Sequence, residues 1–248
     1  MEEALEFAEY LPLSFKTESE RDYLTFLWEA FEANCASGKY QFAFIAYHML
    51  TMSFVYFKVW QIKTARKHDF EKGLIGFARN EAKLLAAKSP FDFSIENEAS
   101  ILRMFRLLSC DNSKIGKYEA LVRDRNDSAH SNGQINFRTE QGLSAKMAEV
   151  LRIAREIEAH SRPVIEELYR DFLTRSFDPE ERQYTDTLDQ IREELVHANY
   201  LSQQDIAFCR AFDIAQLASH EEFGQIVTLH EALIGAYAED EPQPAGAA

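Results

Sequence analysis

Residues Gln41 to Phe57, QFAFIAYHMLTMSFVYF, form a run that is apolar almost all round. A helix without a polar face has to be enclosed, either by other helices or by lipid. The run is marginal in length for a membrane span, is flanked by Lys39 and Lys58, and carries Gln41, His48, Thr51 and Ser53 inside it. We therefore expect a central helix wrapped by protein, with no membrane association. His48 and the aromatic positions Phe42, Phe44, Tyr47, Phe54, Tyr56 and Phe57 read as core packing, the histidine as a satisfied core group rather than a ligand.

The wrapping must come from the rest of the 248 residues, which contain only 9 Gly and 6 Pro. So few turn formers suit long helices joined by short loops, and no segment with a strand period or internal repeat interrupts that pattern. Thr17 and Glu20 have capping-box spacing and open a first helix that Gly38 stops. Further helices are expected over about Lys39 to Arg66, Asp69 to Ala87, Ser94 to Ser109, and around KYEALVRDRN. Beyond them lie one long helix from Thr139 to Thr174, with a bend at Pro163, and three more over Pro179 to Tyr200, Gln203 to Ala218 and His220 to Tyr237. The expected fold class is all-α. SFDPEE opens a new acidic section, which suggests a core over residues 1–176, an acidic helical appendage over 177–238, and a disordered tail over 239–248.

The net charge of −14 is unevenly spread. From Phe177 onward three basic residues face fifteen acidic ones, which leaves 24 basic against 26 acidic residues before that point. Between Lys58 and Lys88, eight basic residues face three acidic ones, a local surplus that can attract phosphate. Lys63, Arg66 and Lys67 from this stretch, with Arg123, are the expected RNA contacts. The three cysteines, Cys35, Cys110 and Cys209, lack any CxxC partner, so buried thiols in a reducing cytoplasm are expected. The acidic N-terminus MEEALEFAEYLPL does not resemble a secretory signal.

RNDSAH, residues Arg125 to His130, sets an arginine and a histidine five positions apart, with Asn126 directly after the arginine. Polar and flexible residues surround the pair (Asn126, Asp127, Ser128, Ser131, Asn132, Gly133), so a helix boundary is expected there. The motif resembles the signature of the HEPN superfamily of helical ribonucleases. Gly38-Lys39-Tyr40-Gln41-Phe42-Ala43-Phe44-Ile45-Ala46-Tyr47 is similar to the G-x-Y-x-x-A-x-x-A-Y passage with which many members enter their second core helix. The resemblance covers residues 17–160 and implies a HEPN-like helical bundle, extended here by a C-terminal helical section. It also implies an endoribonuclease of bacterial defence or a toxin system, with Arg125, His130 and Asn126 at the site and two copies forming a shared cleft.

The residue types suit that chemistry. Attack by a neighbouring 2′-hydroxyl needs a base, an acid for the leaving oxygen and a cation for the charge on phosphorus, and no metal or other cofactor. An imidazole can serve as base or acid, and a guanidinium presents a permanent charged fork to phosphate. In a regular helix residues five apart diverge by roughly 140°, so the pair converges only where the helix ends or tightens. Acid and base together call for two histidines, which favours a homodimer.

Toxins of the superfamily often carry a tyrosine two positions after the histidine, where this chain has Asn132, so an antitoxin or regulatory partner is a weaker expectation. The alternative is a noncatalytic HEPN-like module that binds RNA, a nucleotide or a protein. Glu194 and His197 have the ExxH spacing of di-iron bundles, which need two such pairs, and no HExxH, glycine-rich phosphate loop or GxSxG occurs.

Overall fold

The computed structural model of the chain describes residues 2–77, 79–130, 133–175, 184 and 186–238. The fold is all-α. Its helices are α1 (Glu2–Ala8), α2 (Glu18–Ala36), α3 (Tyr40–Ala65), α4 (Lys67–Gly73), α5 (Glu81–Leu85), α6 (Glu98–Leu102), α7 (Asn112–Ala129), α8 (Glu140–Arg175), α9 (Thr187–Gln190), α10 (Gln203–Arg210) and α11 (Phe223–Ala236). Extended pairing among the described residues is confined to one bridge between Pro12 and Ser202.

α3 is the axis of the molecule. It is long and apolar enough to cross a membrane, yet most of it is buried beneath α2, α6, α7 and α8. The side chains of Phe44, Tyr47, Leu50, Phe54, Phe57, Val59 and Ile62 all lie inside the core, whereas Phe42, expected there, is more than half exposed near the start of the helix. α2 begins where Thr17 and Glu20 predict: Thr17 Oγ1 accepts from the Glu20 backbone N–H at 3.2 Å, and the Glu20 carboxylate accepts from the Thr17 N–H. It ends at Gly38, whose φ of +66° is the left-handed conformation that favours glycine at a helix C-terminus.

Four expectations for the helices are corrected. The helix expected over Gln203 to Ala218 stops at Arg210 and resumes as a 3₁₀ turn (Ile214–Leu217) that Asp213 caps by accepting from the Ala215 N–H. The helix expected over Asp69 to Ala87 is broken into α4, a 3₁₀ turn (Leu74–Phe77) and α5, because Gly73 and Gly76 weaken a continuous helix. The helix expected over Ser94 to Ser109 is also divided, into a 3₁₀ segment (Pro90–Ile95), α6 and a second 3₁₀ segment (Arg103–Leu108). Ser89 caps the first of these segments just ahead of that span and Asn97 caps α6 within it, so local side-chain hydrogen bonds start the backbone twice. α1 is an addition to the expected set; Phe7 anchors it in the core, and Arg155 of α8 pairs with Glu6. By contrast α8 matches its expected bounds and continues through Pro163.

The acidic section does not stand apart. α10 and α11 pack on α8, and Ile191, Leu195, Leu201, Cys209 and Leu233 join the same core as α3. A polar junction lies between them. Lys58 of α3 sits 2.7 Å from Asp205 of α10 and 2.6 Å from Glu158 of α8, with all three buried. Asp205 also accepts from Gln61 Nε2 at 2.9 Å and from the backbone N–H and hydroxyl of Ser202. The boundary near Ser176 and the tail after Ala238 lie outside the described residues.

Candidate functional site

The RNDSAH motif occupies the last turn of α7. Asp111 caps the start of this helix by accepting from the Lys114 N–H, and His130 is the C-cap, its backbone N–H donating to Asn126 O at 3.0 Å. At His130 the backbone is extended, with φ −78° and ψ 145°. The helix boundary therefore lies at the histidine, while Asn126, Asp127 and Ser128 are still helical.

Arg125 turns inward from α7. Its Nη2 lies 2.6 Å from Oε1 of Glu98, the first residue of α6. The other Glu98 oxygen accepts from Nε2 of His48, at 3.0 Å, on α3. Burial opposes ionisation of Glu98, but the hydrogen bonds and charges of His48 and Arg125 outweigh it and hold the carboxyl below its usual range. His48 is buried and satisfied, as a core histidine, by this partner.

His130 faces outward and is exposed. No hydrogen bond joins its ring to Arg125 among the described residues, and none from the Asn126 side chain reaches either group. A different residue fixes the end of α7. Gln41, at the start of α3, donates from Nε2 to Ser128 O at 2.8 Å and accepts from the Asn136 N–H at 2.8 Å. Phe137 then packs on Phe44 in a tilted arrangement, with ring centroids 4.4 Å apart and planes 41° from parallel. The segment after α7 turns at Gly133 (φ +74°) and is brought back to α3 by these contacts, which sets the position from which His130 projects.

Two cavities flank the motif. One, of about 540 Å³, includes Glu98, Tyr56, Tyr23, Phe91, Met49 and Glu20 in its lining. Burial and the nearby Glu98 charge push the Tyr56 hydroxyl up to about 12, so it remains a neutral donor at ordinary pH. The other, of about 630 Å³, lies on the Ser128 side and carries Asp124, Asp127 and Glu149 against Lys146, whose ammonium pairs with Asp124 and Glu149. That side is acidic and unsuited to phosphate.

The four expected RNA contacts are scattered. Lys63 donates to Ala87 O at 2.6 Å with its ammonium over the Trp60 ring, and Arg66 forks onto Glu167 while donating to Leu107 O. Both are engaged in holding the fold. Lys67 and Arg123 are exposed, Arg123 with a long 3.4 Å contact to Gly116 O. None of the four lines either cavity beside the motif.

Glu98 and Gln41 are not legible as site residues from sequence. Glu98 is remote along the chain from both its partners, and Gln41 reads only as a polar residue at the edge of an apolar run. Glu194 and His197 lie within a π-helical segment, Ile191–His197, and no group of three His, Cys, Asp or Glu side chains among the described residues is placed to hold a metal ion. In comparisons with known proteins the chain matches no family model, no curated protein and no solved structure.

Proposed function

We propose that the chain is a metal-independent endoribonuclease acting through Arg125 and His130, assembled as a homodimer. The observation that carries this reading is the end of α7 at Ala129: His130 stands at the helix end with its ring exposed, where an RNA strand or a second copy of the chain can reach it. Glu98 holds one nitrogen of Arg125 and leaves the rest of a planar fork for a phosphate oxygen. Asn126, next to Arg125 in the chain, is assigned a hydrogen-bonding role toward the bound phosphate. One exposed histidine per chain supplies half of an acid–base pair, and a two-fold partner supplies the other. The defence or toxin role, and cytoplasmic residence, rest on the resemblance and on the cysteine pattern alone.

A second reading is favoured by the Glu98 contact itself. An arginine already neutralised by a carboxylate suits a noncatalytic module that binds RNA, a nucleotide or a regulatory protein without cleaving it.

Incubation of the purified chain with single-stranded RNA in EDTA distinguishes the two. Cleavage abolished by His130→Ala and by Arg125→Ala, with a dimer by light scattering, supports the nuclease; cleavage surviving both substitutions defeats the site assignment. Binding without cleavage, unchanged in both variants, establishes the second reading. His130 is exposed at a helix end, so its truncation leaves the fold intact and the result interpretable.

A further inference from the structure

A third cavity, of about 650 Å³, lies away from the motif and brings together Arg79, Arg103 and Arg106. We propose that this groove binds the phosphate groups of a nucleotide, free or within an RNA strand; the proposal does not rest on cleavage at His130.

The local backbone explains why the guanidinium groups meet. Arg103 and Arg106 belong to the 3₁₀ segment Arg103–Leu108, in which residues three apart eclipse one another, so both side chains leave on one side. Arg79 approaches from the turn after Leu74–Phe77. All three keep capacity for an anion. Arg103 spends its Nε on Glu119 at 3.1 Å but is more than half exposed, which leaves its terminal nitrogens accessible. Arg106 donates at 2.7 Å to Asn112 Oδ1, a neutral acceptor that does not cancel its charge. Arg79 is exposed and makes no ion pair among the described residues. The carboxylate in the lining, Glu96, already accepts from Asn80 Nδ2 at 3.0 Å and Asn97 Nδ2 at 2.7 Å. Three guanidiniums against Glu96 and Glu119 leave the groove net positive in a chain of net charge −14, and guanidinium forks match phosphate oxygens.

Size and floor narrow the ligand class. The volume falls in the range of about 300–1,000 Å³ typical of small-ligand clefts, more than a bare phosphate fills. Phe77, Met104 and Leu107 supply apolar surface on which a base can lie. Gly76 is in the lining, and a Cβ there meets nothing within 4 Å, so a larger side chain is accommodated without disturbing the fold.

Two probes test this: a labelled 2′-O-methyl oligonucleotide, which lacks the hydroxyl needed for cleavage, followed by fluorescence anisotropy, and ADP by calorimetry. The variant Arg79→Gln/Arg103→Gln/Arg106→Gln is expected to weaken binding by about tenfold or more and to flatten the salt dependence by roughly one unit of log–log slope for each phosphate no longer neutralised. Arg103 and Arg106 touch α7, so Gly76→Trp serves as a second variant that keeps every charge and fills the groove; it is expected to abolish binding equally. Oligonucleotide displaced by ADP identifies a free-nucleotide site, and oligonucleotide resistant to ADP identifies a strand site. The proposal is overturned if neither probe binds, if binding in both variants stays within about twofold of the parent, or if His130→Ala removes binding while the groove variants retain it.

Discussion

The guanidinium of Arg125 is held by the carboxylate of Glu98, with Nη2 and Oε1 2.6 Å apart across two helices. The motif arginine is thereby tied to the core through His48, which shares the same carboxylate. His130, five residues along, is tied to nothing comparable and lies on the surface. One half of the motif is fixed and the other is presented, an arrangement that a partner molecule or a second copy would complete.

Glu98→Gln keeps the shape but removes the charge between Arg125 and His48. The Glu98–Arg125 pair is only partly shielded from water, so a loss of about 1–2 kcal/mol is expected in urea unfolding at neutral pH. The folded carboxyl is held below its ordinary value of 4.5, so its contribution is present above that pH and is lost as pH falls through the depressed folded value. The gap between parent and variant should therefore close in acid; a gap that stays constant from neutral pH into acid contradicts the charge-pair account.

Glu158, buried beside Lys58 and Asp205, makes the opposite pH signature. Burial and the Asp205 charge raise the Glu158 carboxyl to about 8, whereas Lys58 outweighs burial at Asp205 and keeps that group ionised. One lysine thus faces one carboxylate and one carboxylic acid. Because the folded Glu158 holds its proton more tightly than the unfolded chain, its contribution is complete below about pH 4.5 and is lost as pH rises to about 8. Denaturant midpoints of the parent should carry this downward component between those values, and Glu158→Gln should remove it, gaining most relative to the parent above pH 8. Parallel curves would show that Glu158 is ionised throughout.

Lys58→Met leaves the buried Asp205 without its cation. The expected loss is about 3–5 kcal/mol, the size typical of an orphaned buried charge. Lys58→Met combined with Asp205→Asn should recover part of it, since the second change removes the uncompensated charge; equal stability of the single and double variants would place the cost elsewhere.

Gln41→Ala cuts two hydrogen bonds of α3, one to the last turn of α7 at Ser128 O and one from the Asn136 N–H in the segment after it. A loss of about 1–2 kcal/mol is expected, together with faster amide exchange at Asn136, whose N–H donates to the Gln41 side chain. Unchanged protection at Asn136 would show that the Phe137–Phe44 contact and the Asn136–Ser128 side-chain bond hold the segment without Gln41.

The amino-acid order by itself determined the elements with the strongest local signals. The Thr17–Glu20 box started α2, Gly38 ended it, and the unbroken apolar surface from Gln41 to Phe57 required a wrapped central helix, because these depend on residues within a few positions of one another. The polar cluster after Arg125 likewise placed a helix end at His130. Tertiary structure alone decided what those elements do together. Glu98 finds Arg125 and His48, Lys58 finds Asp205, and Gln41 finds Ser128 and Asn136, all across long stretches of chain. Lys63 and Arg66, exposed cations by composition, hold a backbone carbonyl and a glutamate in the folded chain, while three arginines outside that set gather in one groove. Charge counts give the number of cations a segment has; which of them remain available is set by the carboxylates and carbonyls that packing brings within hydrogen-bond reach.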